Sequence, residues 1–311
     1  MSIAFLFPGQ GSQSVGMMSS LAPLSPCIQE TFREASDVLG VDLWRLCQEG
    51  PADALNATEI TQPAMLTAGV ATHRLWRERG GPQAVFMAGH SLGEFSALVA
   101  AGCLPFQTAV DLVKFRAQVM QAAVPQGAGA MAAILGLEDT DVEAACAEAA
   151  GGEVVEAVNF NSPGQVVIAG HASAVTRAIA AATARGAKKA ILLPVSVPAH
   201  SSLMLPAAER LRERLAATPL RPAASVDLYG VDVKVHSSAE AMRAALVKQL
   251  HTPVYWAATV RTLVAAGATR LIESGPGRVL TGLNRRVERN REVKILAIED
   301  PKSLEEALAA C

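Results

Sequence analysis

Tyrosine occurs twice, tryptophan three times and phenylalanine eight times in 311 residues. So few aromatic rings leave little material for the stacking platforms that bind single-stranded nucleic acid or sugars. Charge is also scarce: Asp, Glu, Lys and Arg make up 18% of the chain, and their balance is −2 at pH 7. Half of the residues are hydrophobic, which excludes a disordered polyelectrolyte. The near-zero balance supplies no global field for nucleic acid or an anionic membrane. Cysteine is limited to Cys27, Cys47, Cys103, Cys146 and Cys311, an odd number with no CxxC spacing. That usage belongs to a reduced compartment and points to neither a disulfide framework nor a zinc site. No uncharged apolar stretch reaches the ~18 residues needed to cross a bilayer. The run at 3–7 stops at Pro8-Gly9, lacks a preceding basic residue and is too short for a signal peptide. A cytoplasmic protein with no membrane or nucleic-acid partner and no metal is expected.

What the chain does have is alanine, which favours helices. Its length suggests roughly two units at about 150 residues each. Residues 2–7 and 84–88 read as short buried strands, and 25–39, 60–79, 92–101 and 105–122 carry helical spacing, with Pro63 expected in a first turn. The texture changes at Pro125-Gln126-Gly127-Ala128-Gly129. Strands are expected at 131–135, 154–159, 166–169 and 190–195, with helices at 139–150 and 173–185. That βαββαβ order is the ferredoxin-like unit. Helices near 202–217, 239–250 and 254–266, a strand at 270–273, a helix from 278, a strand at 293–298 and a helix at 302–309 follow. The expected fold is α/β: a large domain of 1–125 and 196–311 with a parallel sheet, carrying a ferredoxin-like small domain at 126–195.

Gly89-His90-Ser91-Leu92-Gly93 has the form GxSxG between an expected strand and an expected helix. Glycines two before and two after the serine permit a sharp turn that lifts the hydroxyl into a cleft. The N-terminus of the following helix favours a developing oxyanion. A plain glycine-flanked turn is the alternative, but the strand–turn–helix context makes Ser91 the leading nucleophile.

A serine needs a base. Among six histidines, His90 lies inside the turn and should point away from Ser91, and His73, beside Arg74 and Arg77, reads as a surface residue. His200 follows an apolar run and Pro198, where a strand ends and a helix begins, the place where α/β folds put their chemistry. A helix N-terminus also keeps an imidazole neutral and able to accept a proton.

Arg116 has Leu112 and Val113 one turn before it and Val119 and Met120 one turn after, so a guanidinium emerges on an apolar helix face. A buried charge requires a partner, and a planar five-donor fork suits a carboxylate. Either a protein acid or a bound substrate supplies it. The loop Phe7-Pro8-Gly9-Gln10-Gly11-Ser12-Gln13 fails the GxGxxG template, because the third glycine falls at Ser14. The Gln10 N–H remains as a candidate oxyanion donor, and Ser274-Gly275-Pro276-Gly277 reads as a tight turn before a helix.

Taken together, the motifs at 7–13 and 89–94, Arg116, Val-Pro-Ala-His at 197–200, Gln249 and Gly-Pro-Gly at 275–277 resemble malonyl-CoA:acyl carrier protein transacylases. The resemblance runs in order from residue 3 to about 300, and is nearest to the discrete enzymes of dissociated fatty acid synthesis. It implies an α/β-hydrolase-like core with a ferredoxin-like insert. It implies that Ser91 attacks malonyl-CoA while His200 takes its proton, with the N–H groups of Leu92 and Gln10 holding the oxyanion. Malonyl-serine is then transferred to the phosphopantetheine thiol of acyl carrier protein, with ping-pong kinetics and no cofactor beyond these substrates. Arg116 would hold the malonyl carboxylate, and the backbone carbonyl of Gln249 would orient His200. Leu92 resembles malonyl-selective members, so methylmalonyl is the lesser expectation. Ala199 stands where members often carry Ser before the active histidine, which puts a supporting hydrogen bond there in question, and Tyr229-Gly230 stands where they often carry polar amides, which puts a contact near the pocket mouth in question. A monomer is expected.

Three rivals stay open at this point. A serine esterase or thioesterase draws on Ser91, Asp227 or Asp232, and His236 or His251, and leaves Arg116 unexplained. A non-catalytic carrier-binding subunit leaves Ser91 and His200 unexplained. A malonyltransferase serving a polyketide carrier has the same chemistry. Residues 278–294 hold six basic residues against two acidic ones, a local charge of +4 that offers a docking patch for an acidic carrier or else a solvated helix face.

Overall fold

Successive side chains of Ile3–Phe7 alternate between two hydrophobic clusters: Ile3, Phe5 and Phe7 face one, Ala4 and Leu6 the other. A strand buried on both faces belongs inside a parallel sheet covered by helices. The computed structural model, which describes residues 2–195 and 197–311, places it there. Met1 and Ser196, which open the expected segments 1–125 and 196–311, lie outside the described residues.

The strands are β1 (Ile3–Phe7), β2 (Phe86–Gly89), β3 (Gly129–Leu135), β4 (Val155–Ser162), β5 (Gln165–His171), β6 (Lys189–Leu192), β7 (Asp227–Tyr229), β8 (Arg270–Ser274) and β9 (Lys294–Ile298). A parallel sheet runs β7-β2-β1-β8-β9, with Leu6 opposite Ala88 and Phe7 opposite Gly89. An antiparallel sheet runs β4-β5-β3-β6. The helices Asp139–Ala149 and Ala172–Ala184 pack on this second sheet around Val142, Ile168 and Val175. The chain is therefore a mixed α/β protein with one parallel and one antiparallel sheet.

The antiparallel sheet is tied at β4 to the segment that precedes the helix Trp256–Ala265. Phe160 N–H donates to the Val254 carbonyl at 2.9 Å and Val254 N–H to the Val158 carbonyl at 2.8 Å. The face of the second sheet opposite its helices carries Met131, Val158 and Val167, packed with Leu193, Val195 and Ala199. That face closes over the C-terminal ends of β1 and β2.

Several sequence expectations shift. The strand expected over 190–195 ends at Leu192, which frees Leu193, Pro194 and Val195 to line a cavity. The helix expected from 60 begins at Thr58, so Pro63 stands in its second turn rather than its first. The helices Leu43–Glu49 and Ala52–Asn56 and strand β7 had no sequence signal strong enough to read. Each is short, and β7 is a three-residue edge strand that opens on the exposed Asp227.

Candidate active site

The turn after β2 exists only because its glycines have no side chains. A Cβ on Gly89 would lie 1.8 Å from the Gly93 carbonyl carbon, and one on Gly93 would lie 2.0 Å from the Phe7 carbonyl oxygen. Packed this tightly, the backbone of Ser91 takes φ +51, a left-handed conformation that costs a non-glycine residue about 1–3 kcal/mol. The helix Gly93–Ala100 starts two residues later, so Ser91 sits at its N-terminus. His200 has φ +66, and its N–H donates to the Leu250 carbonyl at 2.9 Å. Glu156 of β4 fixes the next residues by accepting from Ser202 N–H at 2.7 Å and Ser202 Oγ at 2.9 Å.

These constraints bring serine and histidine together across 109 residues. The Ser91 hydroxyl and His200 Nε2 are 2.7 Å apart, and His200 Nδ1 is 2.7 Å from the Gln249 carbonyl oxygen. A carbonyl only accepts, so Nδ1 carries the ring proton and Nε2 is free to accept from Ser91. Burial, and then the neighbouring Arg116 charge, push the His200 imidazole down to about 3, which keeps it neutral.

Arg116 is 1% exposed. Its Nη1 donates to Gln62 Oε1 at 2.6 Å, and its Nη2 donates to Gln249 Oε1 at 2.9 Å and Ser91 Oγ at 3.2 Å. Among the described residues its Nε has no partner and no carboxylate accepts from its fork. Burial pulls its guanidinium down to about 10, still charged at neutral pH. Of the two partners the sequence left open, no protein acid is in direct contact.

Ser91, His200, Arg116, Gln10 and Leu92 line one cavity of about 470 Å³ with Met131 of the antiparallel sheet. The Leu92 and Gln10 N–H groups donate to no protein acceptor among the described residues. The Gln10 side chain turns away to Thr58 Oγ1 at 3.2 Å.

Other expectations are redistributed. His236 pairs with Asp232 at 3.0 Å and lines a separate small hollow with Glu94 and Tyr229, so neither joins Ser91. Tyr229 is buried edge-on to Phe86, not at the mouth, whereas Ala199 does line the cavity. His73 is not a free surface residue: its ring packs edge-on to Phe5 at 5.3 Å, and burial followed by the Arg77 charge pushes it down to about 4. Gly275 takes φ +144 against Pro8, the tight turn expected of Gly-Pro-Gly. His90 points to Asn161 Oδ1 at 2.8 Å.

Sequence reading missed Gln62 and Glu94. Both are buried polar residues inside apolar helix segments, the same signal that singled out Arg116.

Residues 4–298 match the acyl transferase domain family. Malonyl CoA-acyl carrier protein transacylase of Escherichia coli strain K12 is 53% identical over 98% of both chains, and that of Bacillus subtilis is 44% identical over 98% of this chain and 96% of its own. This chain belongs to the malonyl CoA-acyl carrier protein transacylases, an acyltransferase family. Among solved structures, a malonyl-transacylase in complex with its type II PKS acyl-carrier protein is 50% identical, with a TM-score of 0.97 and full coverage of both chains. The transacylase from Coxiella burnetii is 46% identical, with a TM-score of 0.96 over 99% of this chain and 97% of that one.

Proposed function

We propose that this enzyme transfers the malonyl group from malonyl-CoA to the phosphopantetheine thiol of acyl carrier protein, through a malonyl ester on Ser91, in fatty acid biosynthesis. The observation that carries this reading is the Ser91 hydroxyl held by His200 on one side and by the Arg116 fork on the other. In the first half-reaction Ser91 Oγ attacks the thioester carbonyl and His200 Nε2 takes the hydroxyl proton. The N–H groups of Leu92 and Gln10 hold the oxyanion. Coenzyme A leaves as a thiol, protonated by His200. In the second half the carrier thiol gives its proton to His200 and attacks the ester, and the proton returns to Ser91. Arg116 holds the free carboxylate of the malonyl group, and the Gln249 carbonyl keeps His200 in the reactive tautomer.

The substrates bring all the chemistry, so no resident cofactor enters the reading. The chain acts as a cytoplasmic monomer; among the described residues no helix is long and apolar enough to cross a membrane. The domain division is 1–125 with 196–311, a hydrolase-like core, and 126–195, a ferredoxin-like unit. The strand order β4-β5-β3-β6 supports that second description. The 50% identity to a transacylase that serves a type II PKS carrier favours a second reading with the same chemistry and a polyketide carrier as acceptor.

Mass spectrometry of the intact protein after exposure to malonyl-CoA tests the proposal. A malonyl adduct on Ser91 that is discharged by carrier is expected. An unmodified Ser91 overturns it, and discharge to water as fast as to carrier indicates an esterase.

A further inference from the structure

The carboxyl group of Glu94 is buried in the first turn of the helix that follows the nucleophile, and among the described residues no cation touches it. Its Oε2 accepts from Gln249 Nε2 at 2.6 Å, while Oε1 of that amide accepts from Arg116 at 2.9 Å. Gln249 Nε2 also donates to the Ser91 carbonyl at 3.1 Å. One amide therefore stands between a buried cation and a buried acid, with its oxygen toward the cation and its nitrogen toward the acid.

Other groups facing Glu94 do not neutralise it. On the segment after β7, the Val231 backbone faces it, and Asp232 adds a like charge that is itself paired with His236. Tyr229, Leu228, His236 and Met242 close the hollow around it. The empty site thus balances one positive charge, on Arg116, with one negative charge at a distance.

A malonyl carboxylate entering beside Arg116 makes two anions for one buried cation. Two buried carboxylates that share one cation do not both stay ionised. The malonyl group holds the direct contact, so the acid behind the amide is the one that gives way. We propose that Glu94 is a positioning residue that sets the charge of the acid-binding pocket: ionised when the pocket is empty, it takes a proton from solvent as malonyl binds and returns it when malonyl leaves. This rests on malonyl being the acyl group. Burial, chiefly, with a smaller contribution from Asp232, already lifts Glu94 to about 7, within reach of physiological pH.

The sign follows. Below pH ~7 Glu94 is protonated in both states, and malonyl affinity is flat with pH. Above it the empty site must acquire a proton to bind, so affinity falls by up to about tenfold per pH unit.

Isothermal titration of malonyl-CoA and acetyl-CoA into full-length Ser91→Ala protein, at pH 7.5 in buffers of different ionisation heat, counts the protons. Malonyl-CoA is expected to take up about half a proton to one proton more than acetyl-CoA. Adding Glu94→Gln, which keeps an acceptor for the Gln249 amide, should abolish that difference, whereas adding His236→Gln should leave it intact. Equal uptake for the two thioesters, or uptake that survives Glu94→Gln, overturns the proposal. Should the Glu94 variant not fold, the malonyl–acetyl difference in the Ser91→Ala protein alone decides. Failure of malonyl-CoA to bind at any pH, with no Ser91 adduct in the unsubstituted enzyme, overturns the malonyl reading itself.

Discussion

His200 Nδ1 lies 2.7 Å from the main-chain carbonyl of Gln249, so the group that orients the base survives any change to the Gln249 side chain. That side chain has a separate task, bridging Arg116 and Glu94. Gln249→Ala is therefore expected to leave the serine–histidine pair able to react while loosening the arginine. Hydrogen bonds to charged groups contribute about 1.5–3 kcal/mol, so kcat/KM with malonyl-CoA should fall roughly 10- to 100-fold. Acetyl transfer should fall less. A comparison of the two thioesters by steady-state kinetics checks this, and an equal loss for both would mean that the side chain also supports the base.

Arg116 makes a sharper case. It is the cation in contact with the nucleophile, held by two glutamines and aimed into the cavity. A site built around a buried polar group rejects substrates lacking the matching group by about 10⁴-fold. Arg116→Ala should therefore remove most malonyl transfer and collapse the preference over acetyl toward unity. Measured malonyl and acetyl rates that are both unchanged would refute the assignment of Arg116 to the carboxylate.

The glycines of the turn offer a prediction about folding. A methyl group on Gly93 meets the Phe7 carbonyl at 2.0 Å, and backbone on both sides leaves nowhere to move. Gly93→Ala is expected to cost more than about 3 kcal/mol, enough to abolish soluble, active protein. Gly282, inside the helix Val279–Val287 with nothing within 4 Å of a built Cβ, is the control. Gly282→Ala should stabilise by up to about 1 kcal/mol. Soluble yield and activity of the Gly93 variant, set against thermal unfolding of the Gly282 variant, separate local geometry from a general intolerance of alanine.

Most of this architecture was legible because its signals are local. The GxSxG turn, the apolar run of β1 and the arginine on an apolar helix face can each be read within a few residues. His200 was legible as a strand-end residue, but its 2.7 Å approach to Ser91 spans 109 positions and belongs to the packing of β4 and the C-terminal end of the helix Ala239–Gln249. Gln62 and Glu94 were passed over for a different reason. A lone glutamine or glutamate in an apolar helix is ambiguous until its partner is known, and the partner of both is the guanidinium of Arg116, directly or through Gln249. Short edge elements such as β7 are decided by neighbours and not by propensity.

The basic segment 278–294 is where the carrier should make contact. Arg285 and Arg286 lie exposed in the last turn of the helix Val279–Val287, and Arg286 reaches across to Gln165 of β5 at 2.7 Å. The patch therefore bridges the two sheets that enclose the cavity. Arg278 is less available, because it is paired with Glu299 at 2.5 Å. Exposed charges act over about 10 Å at moderate salt and govern encounter more than chemistry. Reversing Arg285 and Arg286 to Glu should accordingly raise KM for the carrier about tenfold or more, with kcat and the rate of Ser91 malonylation retained. Malonyl-CoA is itself an anion and provides the control: if its KM rises as much as that of the carrier, the patch is a general anion field and not a docking face. Added salt should weaken carrier binding to the unsubstituted enzyme and have little effect on the reversed variant, whose favourable field has already been removed.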